Sequence, residues 1–468
     1  MSVLFIGLAS DGVDNQVREY STIEDVEDFL HTKYSFQKYL SPGATTVTLS
    51  PKALATPDDK VNGYERVLLF KSLNASGDTL SFVWIGGDQE DQLVELSYTP
   101  YYGVEDLAVA LKRSIRLGIK TYGIRLGGVP ATLTVGGFSF VARTSGVKYN
   151  NSKISIVGSN VTFYGMDPDY PSTVVTYSSK QQFLAETNEL AEIGVIPCYC
   201  TEVPNSLSNA TGSLSGGTDG DFSSSLLSTC FNESTFPPDV EVVVILGATN
   251  AAAQSVVDTF AEENPSLTFF LNAGEIGTDV SAWAGTFYSD SVKSDSLFFF
   301  GNNIYSTDEA KIERSLAEAA SLSYLSQNRQ ISLSNLPLKN SELVRDLSQE
   351  ELDILYQAGV NASTRRIYSG SCLYKTVNGG NIDATKRLAA SRIAQITGPY
   401  LYSFIGNPLP SGRNLIVEEG LRDLLKSNLP EDITYINSSA IVAESTLSVE
   451  MRVTVYDEIL EIKFGVNF

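Results

Sequence analysis

Apolar and polar positions alternate most regularly at the end of the chain. Leu447, Val449, Met451, Val453 and Val455 alternate with Ser448, Glu450, Arg452 and Thr454, the period of a strand with one buried face. After Tyr456, Asp457 and Glu458 the alternation restarts in the opposite parity. Leu460, Ile462, Phe464, Val466 and Phe468 are then apolar, and Glu461, Lys463 and Asn467 polar. A closing strand of this kind is either the ordinary edge of its own sheet or an arm that pairs with the edge of a neighbour's sheet. For an arm, Tyr456, Asp457 and Glu458 are the hinge, and the apolar row from Leu460 to Phe468 makes the contact between subunits.

Upstream, residues 3–8 form a short continuous apolar run, which reads as a buried strand. Ser21 and Glu24 then have capping-box spacing ahead of a helix through Val26, Phe29 and Leu30. Residues 42–99 change to strand texture, with candidates at 46–49, 67–70, 80–84 and 93–98 between Asn, Gly and Asp turns. A helical stripe returns at Leu107, Ala110, Leu111 and Ile115, followed by a strand at 121–126 and a boundary at Gly127 and Gly128. Beyond it, 131–135, 138–142, 154–157, 161–164 and 174–177 read as a small all-β region.

The pattern next predicts a helix at 183–190, a strand at 193–199 and a polar loop over 205–221. Apolar runs at 240–246, 267–271 and 297–300 alternate with helical or loop connections, which implies a largely parallel sheet. Two more capping boxes, Ser306 with Glu309 and Ser348 with Glu351, open helices through Leu316 and up to Gly359. From Asp383, the stripe Ala389, Ile393, Ile396 and Tyr400 predicts a helix bent by Pro399. A second helix, 413–426, turns Val417, Leu421, Leu424 and Leu425 inward and Glu418, Arg422 and Lys426 outward, before a strand at 433–436.

The resulting fold class is a mixed, multidomain α/β chain. Residues 1–41 begin an α/β domain, 42–100 are a β-rich insertion, and 101–126 return to the first domain. Residues 127–180 are a small β domain, 181–365 the main α/β domain, and 366–468 a C-terminal α+β domain ending in the strand arm. At 468 residues the chain exceeds one core, and two to four domains are expected.

Charge narrows the partners. Lys and Arg number 33 against 55 Asp and Glu, a net charge of -22, which argues against nucleic acid and anionic membranes. Cys198, Cys200, Cys230 and Cys372 form no Cys-x-x-Cys pair and read as free buried thiols in a reducing compartment. The first residues lack the basic region of a signal peptide, and no apolar run approaches the ~20 residues of a membrane helix, so a soluble, cytosol-made protein is expected.

Chemistry is hard to assemble. The only histidine is His31, which any Ser-His-Asp or Cys-His scheme would have to use. Leu214 holds the middle place between Gly212 and Gly216, where a hydrolase elbow needs Ser. Gly7 to Gly12 has phosphate-loop spacing, but Val13 and Asp14 stand where Lys and Ser or Thr are required. Asp219 and Asp221 lack the distal Glu of a calcium loop. No catalytic residue, cofactor site or metal site is assigned, and the chain is not expected to be an enzyme.

The run Leu214-Ser-Gly-Gly-Thr-Asp-Gly220, followed by the strand at 240–247, resembles the central signature of contractile-tail sheath proteins, the family of myovirus phage sheaths and related injection machines. Residues 3–12 with the helix after Ser21 are similar to that family's first strand and helix, and 107–126 to its helix, Gly and strand ending in Arg, here Arg125. The strand from Phe138 with the turn Gly146 to Asn150, the segments 347–352, 358–361 and 386–388, and the closing strand resemble further parts in the same order. Two departures stand out: the family pattern has an extended arm before the first strand, where this sequence opens on that strand, so a two-armed interlock is not expected, and 42–99 is not matched to the pattern.

The resemblance implies a subtilisin-like sheet without hydrolytic residues, and a virion protein made in the host cytoplasm. It implies assembly with copies of itself as stacked, hexameric rings around a tail tube, between baseplate and tail terminator proteins. Contraction would then drive the tube through the host envelope. It also places the terminal unit innermost, so Lys386, Arg387, Arg392, Arg413, Arg422 and Lys426 become candidates for facing the tube. The alternatives are a hydrolase-like or nucleotide-binding α/β enzyme with accessory β domains, and a non-contractile structural or surface-layer protein.

Overall fold

The computed structural model describes residues 2–9, 11–30, 106–150, 152–164, 172–233, 236–307, 313–327, 332–366, 370–404, 414–429, 433–443, 446–455 and 458–467, together with the strands Leu68–Leu73, Thr79–Trp84 and Gln92–Ser97. His31, Arg413, Tyr456, Asp457, Phe468 and the expected strand at 46–49 lie outside the described residues.

A seven-stranded sheet organises the rest, in the order Val17–Tyr20, Lys120–Arg125, Ser2–Gly7, Val242–Ala248, Thr268–Glu275, Leu297–Asn302, Val360–Asn361. Its neighbours run parallel except at Val17–Tyr20, which is antiparallel to Lys120–Arg125. The apolar runs are continuous because both faces are covered. Val3, Phe5, Val242, Val244, Phe270, Phe298 and Phe300 enter the core on one face, and Leu4, Ile6, Val243, Ile245, Phe269, Leu271 and Phe299 the core on the other.

The first face is covered by Ile23–Phe29, Asp106–Arg116 and Leu316–Ser326, and the second by Ser224–Glu233 and Ala251–Glu263. Leu316–Ser326 is buried all round, and its Glu318 carboxylate lies 3.0 Å from Arg113 Nη1 and 3.4 Å from Arg314 Nε. The first core continues without a break into Leu388, Ala389, Ile393, Val417, Leu421, Leu425 and the terminal strand residues Leu447 to Val453.

Helix starts partly match the sequence. Ser348 and Glu351 form the expected capping box on Gln349–Gln357, which closes at Gly359 with φ +77°. At the first helix the box is Thr22 with Asp25, one residue beyond the expected Ser21 and Glu24. Glu309 lies outside the described residues; among those described Ser306 caps no helix but pairs with Ser341 in a small antiparallel sheet, and the next described helix starts after Ser315, whose hydroxyl makes no capping bond.

Between Ala131 and Leu214 the chain builds a separate core on two antiparallel sheets. One contains Thr173–Thr176, Asn160–Phe163, Lys153–Val157 and Ala210–Ser213; the other contains Cys198–Glu202, Phe138–Ser145 and Pro130–Val135. The sequence reading expects the parallel α/β pattern to resume after residue 181. Instead Lys180–Glu192 contributes Phe183 and Ala191 to this β-rich core, and Cys198–Glu202 pairs antiparallel with Phe138–Ser145. The burial of Cys198 and Cys200 around half-buried Tyr199 is the alternation of a one-sided strand, unlike the unbroken runs of the parallel sheet. All four cysteines are free and buried, as expected.

Three short strands, Leu68–Leu73, Thr79–Trp84 and Gln92–Ser97, form a further antiparallel sheet in the 42–100 region.

Candidate functional site

The terminal unit consists of the helices Ala384–Tyr402, with Pro399 inside it, and Asn414–Asn428, against an antiparallel sheet of Ile433–Ala443, Thr446–Val455 and Glu458–Asn467. In the middle strand Leu447, Val449, Met451 and Val453 are buried, as the alternation requires. The register sets Leu460 opposite Val453, Ile462 opposite Met451, Phe464 opposite Val449 and Val466 opposite Leu447. It also pairs Val455 with Glu458. Odd positions on one strand therefore face even positions on the next, which accounts for the parity switch in the sequence. Within the one chain, Glu458 opens a strand folded back on its own neighbour.

That closing strand is one edge of the sheet, and Ile433–Ala443 is the other; among the described residues neither has a second strand beside it. The strand Ile433–Ala443 is far longer than the expected 433–436, because the polar run Asn437, Ser438, Ser439 hides its second half from a pattern search. It carries two edge-protecting features. A register shift between Tyr435 and Asn437 leaves Ile436 without a partner position, and Ala440 N donates to Glu418 Oε1 at 2.7 Å.

The six basic candidates separate into two groups. Arg392 Nη1 lies 2.7 Å from Glu241 Oε1 and donates to Gln395 Oε1 at 3.2 Å, while Gln395 Nε2 donates to Ser266 O at 2.9 Å. Arg387 is drawn inward: burial lowers its pKa, opposed by Asp295 and Asp258. Glu241, Ser266 and Asp295 each stand just before a strand of the parallel sheet, so this helix crosses the strands' N-terminal ends. Lys386 is half-buried on the same helix. Lys426 and Arg422 lie on Asn414–Asn428, where Lys426 is exposed and the Arg422 side chain, 3.3 Å from Asp423, is 44% exposed.

A second polar constellation, which the sequence reading did not assemble, joins the parallel sheet to the β-rich region. Asp11, in the turn after the first strand, is fully buried and accepts from Arg143 Nη2 at 3.2 Å and Tyr149 Oη at 3.0 Å, with Lys148 Nζ as a third partner. Burial lowers the Lys148 pKa, but Asp11 and Tyr149 outweigh it and the net direction is up. Arg125, at the end of its strand, donates to Ala9 O at 2.9 Å, Ser145 Oγ at 3.0 Å and Ser145 O at 2.6 Å, and pairs with Asp14. Val147 N donates to Asp219 Oδ1 at 3.0 Å.

The glycine-rich run 214–220 connects the strand Ala210–Ser213 to the helix Ser224–Glu233, as a connection should, and it also docks here. Arg125, the turn Gly146 to Asn150 and the glycine run were each marked in the sequence, but nothing there showed that they meet; Asp11 and Asp14 come from a distant turn and Asp219 from the run itself. Among the described residues no group of three His, Cys, Asp or Glu side chains is placed to hold a metal ion.

No family model matches the sequence, and no curated protein does. Solved structures match over the full chain. A sheath tail protein from Desulfitobacterium hafniense covers 100% of this chain and 96% of its own, with a TM-score of 0.53 at 11% identity. A sheath tail protein from Listeria innocua covers 100% and 94%, with a TM-score of 0.51 at 12% identity. The chain has the fold of these sheath tail proteins, in agreement with the resemblance read from its motifs.

Proposed function

We propose that the chain is the sheath subunit of a phage-type contractile tail, a structural protein without catalytic activity. It polymerises as stacked hexameric rings around a tail tube and contracts to drive that tube through an envelope. The observation that carries this reading is the likeness of fold over the whole chain to two sheath tail proteins. The terminal sheet supports it, because among the described residues no strand pairs with the outer edge of its closing strand, the kind of edge that strand addition uses. Among the described residues no helix is long and apolar enough to cross a membrane.

In this reading the terminal unit, residues 366–468, lies innermost. The closing strand leaves its own neighbour and takes the equivalent place in an adjacent subunit, as an exchanged element does. Tyr456, Asp457 and Glu458 then serve as the hinge, and Leu460, Ile462, Phe464, Val466 and Phe468 as the contact row. Each backbone hydrogen bond of the exchanged strand contributes about 0.5–1.5 kcal/mol net, and each fully buried apolar side chain about 1.5–3 kcal/mol. The same bonds exist in the closed chain, so they cancel and exchange is close to neutral; the high effective concentration of neighbours held in a ring then favours it. Tube, baseplate and terminator proteins are the partners, and Arg422 and Lys426 are the basic candidates with exposed side chains to meet an acidic tube.

Electron microscopy of the purified protein in negative stain tests the reading. Tubes or stacked rings support it. A compact monomer with hydrolytic or nucleotide turnover supports the α/β enzyme instead.

A further inference from the structure

The β-rich region is joined to the parallel sheet by an unusual set of contacts. Its core residues all lie between Ala131 and Leu214 and merge with neither core of the sheet. The chain crosses between the two bodies at 127–128 and again at 215–221, and the crossings run side by side. Val129 N donates to Thr218 O and Thr218 N to Val129 O, both at 2.9 Å. The neck is close enough to require glycine: a Cβ on Gly128 would stand 2.0 Å from Thr218 O, and one on Gly220 2.5 Å from Gly127 O.

Two paired crossings rich in glycine are the covalent plan of a hinge. What spans this one is charge. Asp11 and Asp14 on the sheet side, with Asp219 on the returning crossing, meet Arg143 and Lys148 of the β-rich region and Arg125 of the sheet. Three acidic groups thus face three basic ones; Asp11 and Arg125 are buried, and Asp14 and Asp219 lie half-buried at the rim. Separating the partners of a buried ion pair leaves uncompensated charge and is costly, so a swing that pulls these groups apart is disfavoured. Ser145 reinforces that geometry by accepting from Gly128 N at 2.8 Å and donating to Asp14 Oδ1 at 2.9 Å.

We propose that this junction is a latched hinge, in which the buried charged clamp around Asp11 and Arg125, rather than apolar packing, fixes the orientation of the β-rich region on the parallel sheet. Weakening the clamp frees the region to swing as an intact body without unfolding either core. The inference stands apart from the sheath reading, since it uses only contacts within one chain.

Hydrogen exchange of full-length protein tests it in two variants, Asp11→Asn with Lys148→Met, which removes a charge pair together, and Lys148→Met alone, which leaves Arg143 on Asp11. In the double variant, exchange at the amides of 127–129, 131–132 and 214–220 should rise at least tenfold. The strands Asn160–Phe163 and Val242–Ala248 should keep wild-type protection. The single variant should show the same pattern with a smaller rise. Unchanged neck exchange overturns the proposal. So does a parallel rise in either core, or failure of both variants to fold, because each would assign the clamp to the folded state as a whole and not to orientation.

Discussion

Asn150 and Gly217 hold each other by two hydrogen bonds: Asn150 Nδ2 donates to Gly217 O at 2.8 Å, and Gly217 N donates to Asn150 Oδ1 at 2.9 Å. Asn150 closes the turn that follows the strand Phe138–Ser145, and Gly217 is the centre of the glycine-rich run. Two sequence motifs 67 positions apart are therefore the two halves of one contact.

Asn150→Asp should weaken that contact, because a carboxylate accepts from Gly217 N but cannot donate to Gly217 O. Leaving the carbonyl of buried Gly217 unpaired costs about 1–3 kcal/mol. Urea unfolding should show the loss, and a midpoint equal to wild type would show that the pair contributes nothing.

Glu318→Gln should be among the most damaging single changes in the chain. The carboxylate is 4% exposed and lies against Arg113 and Arg314, which are 5% and 3% exposed. Removing one partner from a buried ion set typically costs about 3–5 kcal/mol. A loss below about 1 kcal/mol would mean that other groups satisfy both guanidinium ions.

Glu351 gives a prediction with a definite sign in pH. The backbone hydrogen bond from Ser348 N, 2.7 Å long, holds its carboxyl below the ordinary value of 4.5. A carboxyl lowered on folding adds stability that is complete above its unfolded pKa and is lost as pH falls through the folded one. The stability gap between wild type and Glu351→Gln should be constant near neutrality and close as pH drops below about 4.5. A gap that widens on acidification would reverse the assignment.

The basic candidates should behave as two classes. Arg392→Ala breaks the contact with Glu241, both side chains being less than one-fifth exposed, and should lower stability by roughly 1–3 kcal/mol. Arg422→Glu with Lys426→Glu should leave stability within about 0.5 kcal/mol, as surface changes usually do, but reduce co-sedimentation with tubes. Intact tube binding in the charge-reversed protein would remove this face from the inner surface.

How much of this was legible depends on how local the cause is. The parallel strands were read because burial on both faces leaves an uninterrupted apolar run, as at 3–8 and 240–246. The capping box at Ser348 was read because its hydrogen bonds span only three residues. Ser306 had the same spacing to Glu309, yet Ser306 itself ends a strand paired with Ser341, a long-range pairing that spacing cannot show.

The junction stayed hidden for the opposite reason. Asp11 meets Lys148 across 137 positions, and although each lies in a stretch that the motifs mark, nothing in either stretch shows that the two meet. The parity switch at Tyr456 was visible but open in meaning. It suits an arm leaving its sheet, and it also follows from the pairing of Val455 with Glu458 within one chain.

That ambiguity makes the closing strand the decisive place to measure. Deleting residues 459–468 removes nearly the whole strand while keeping both helices, the parallel sheet and the first two strands of the terminal sheet. Negative-stain microscopy and sedimentation of the truncated protein should show a folded monomer that forms no rings or tubes under conditions where the full chain assembles. Sheaths of normal length from the truncated protein would contradict strand exchange as the link between subunits.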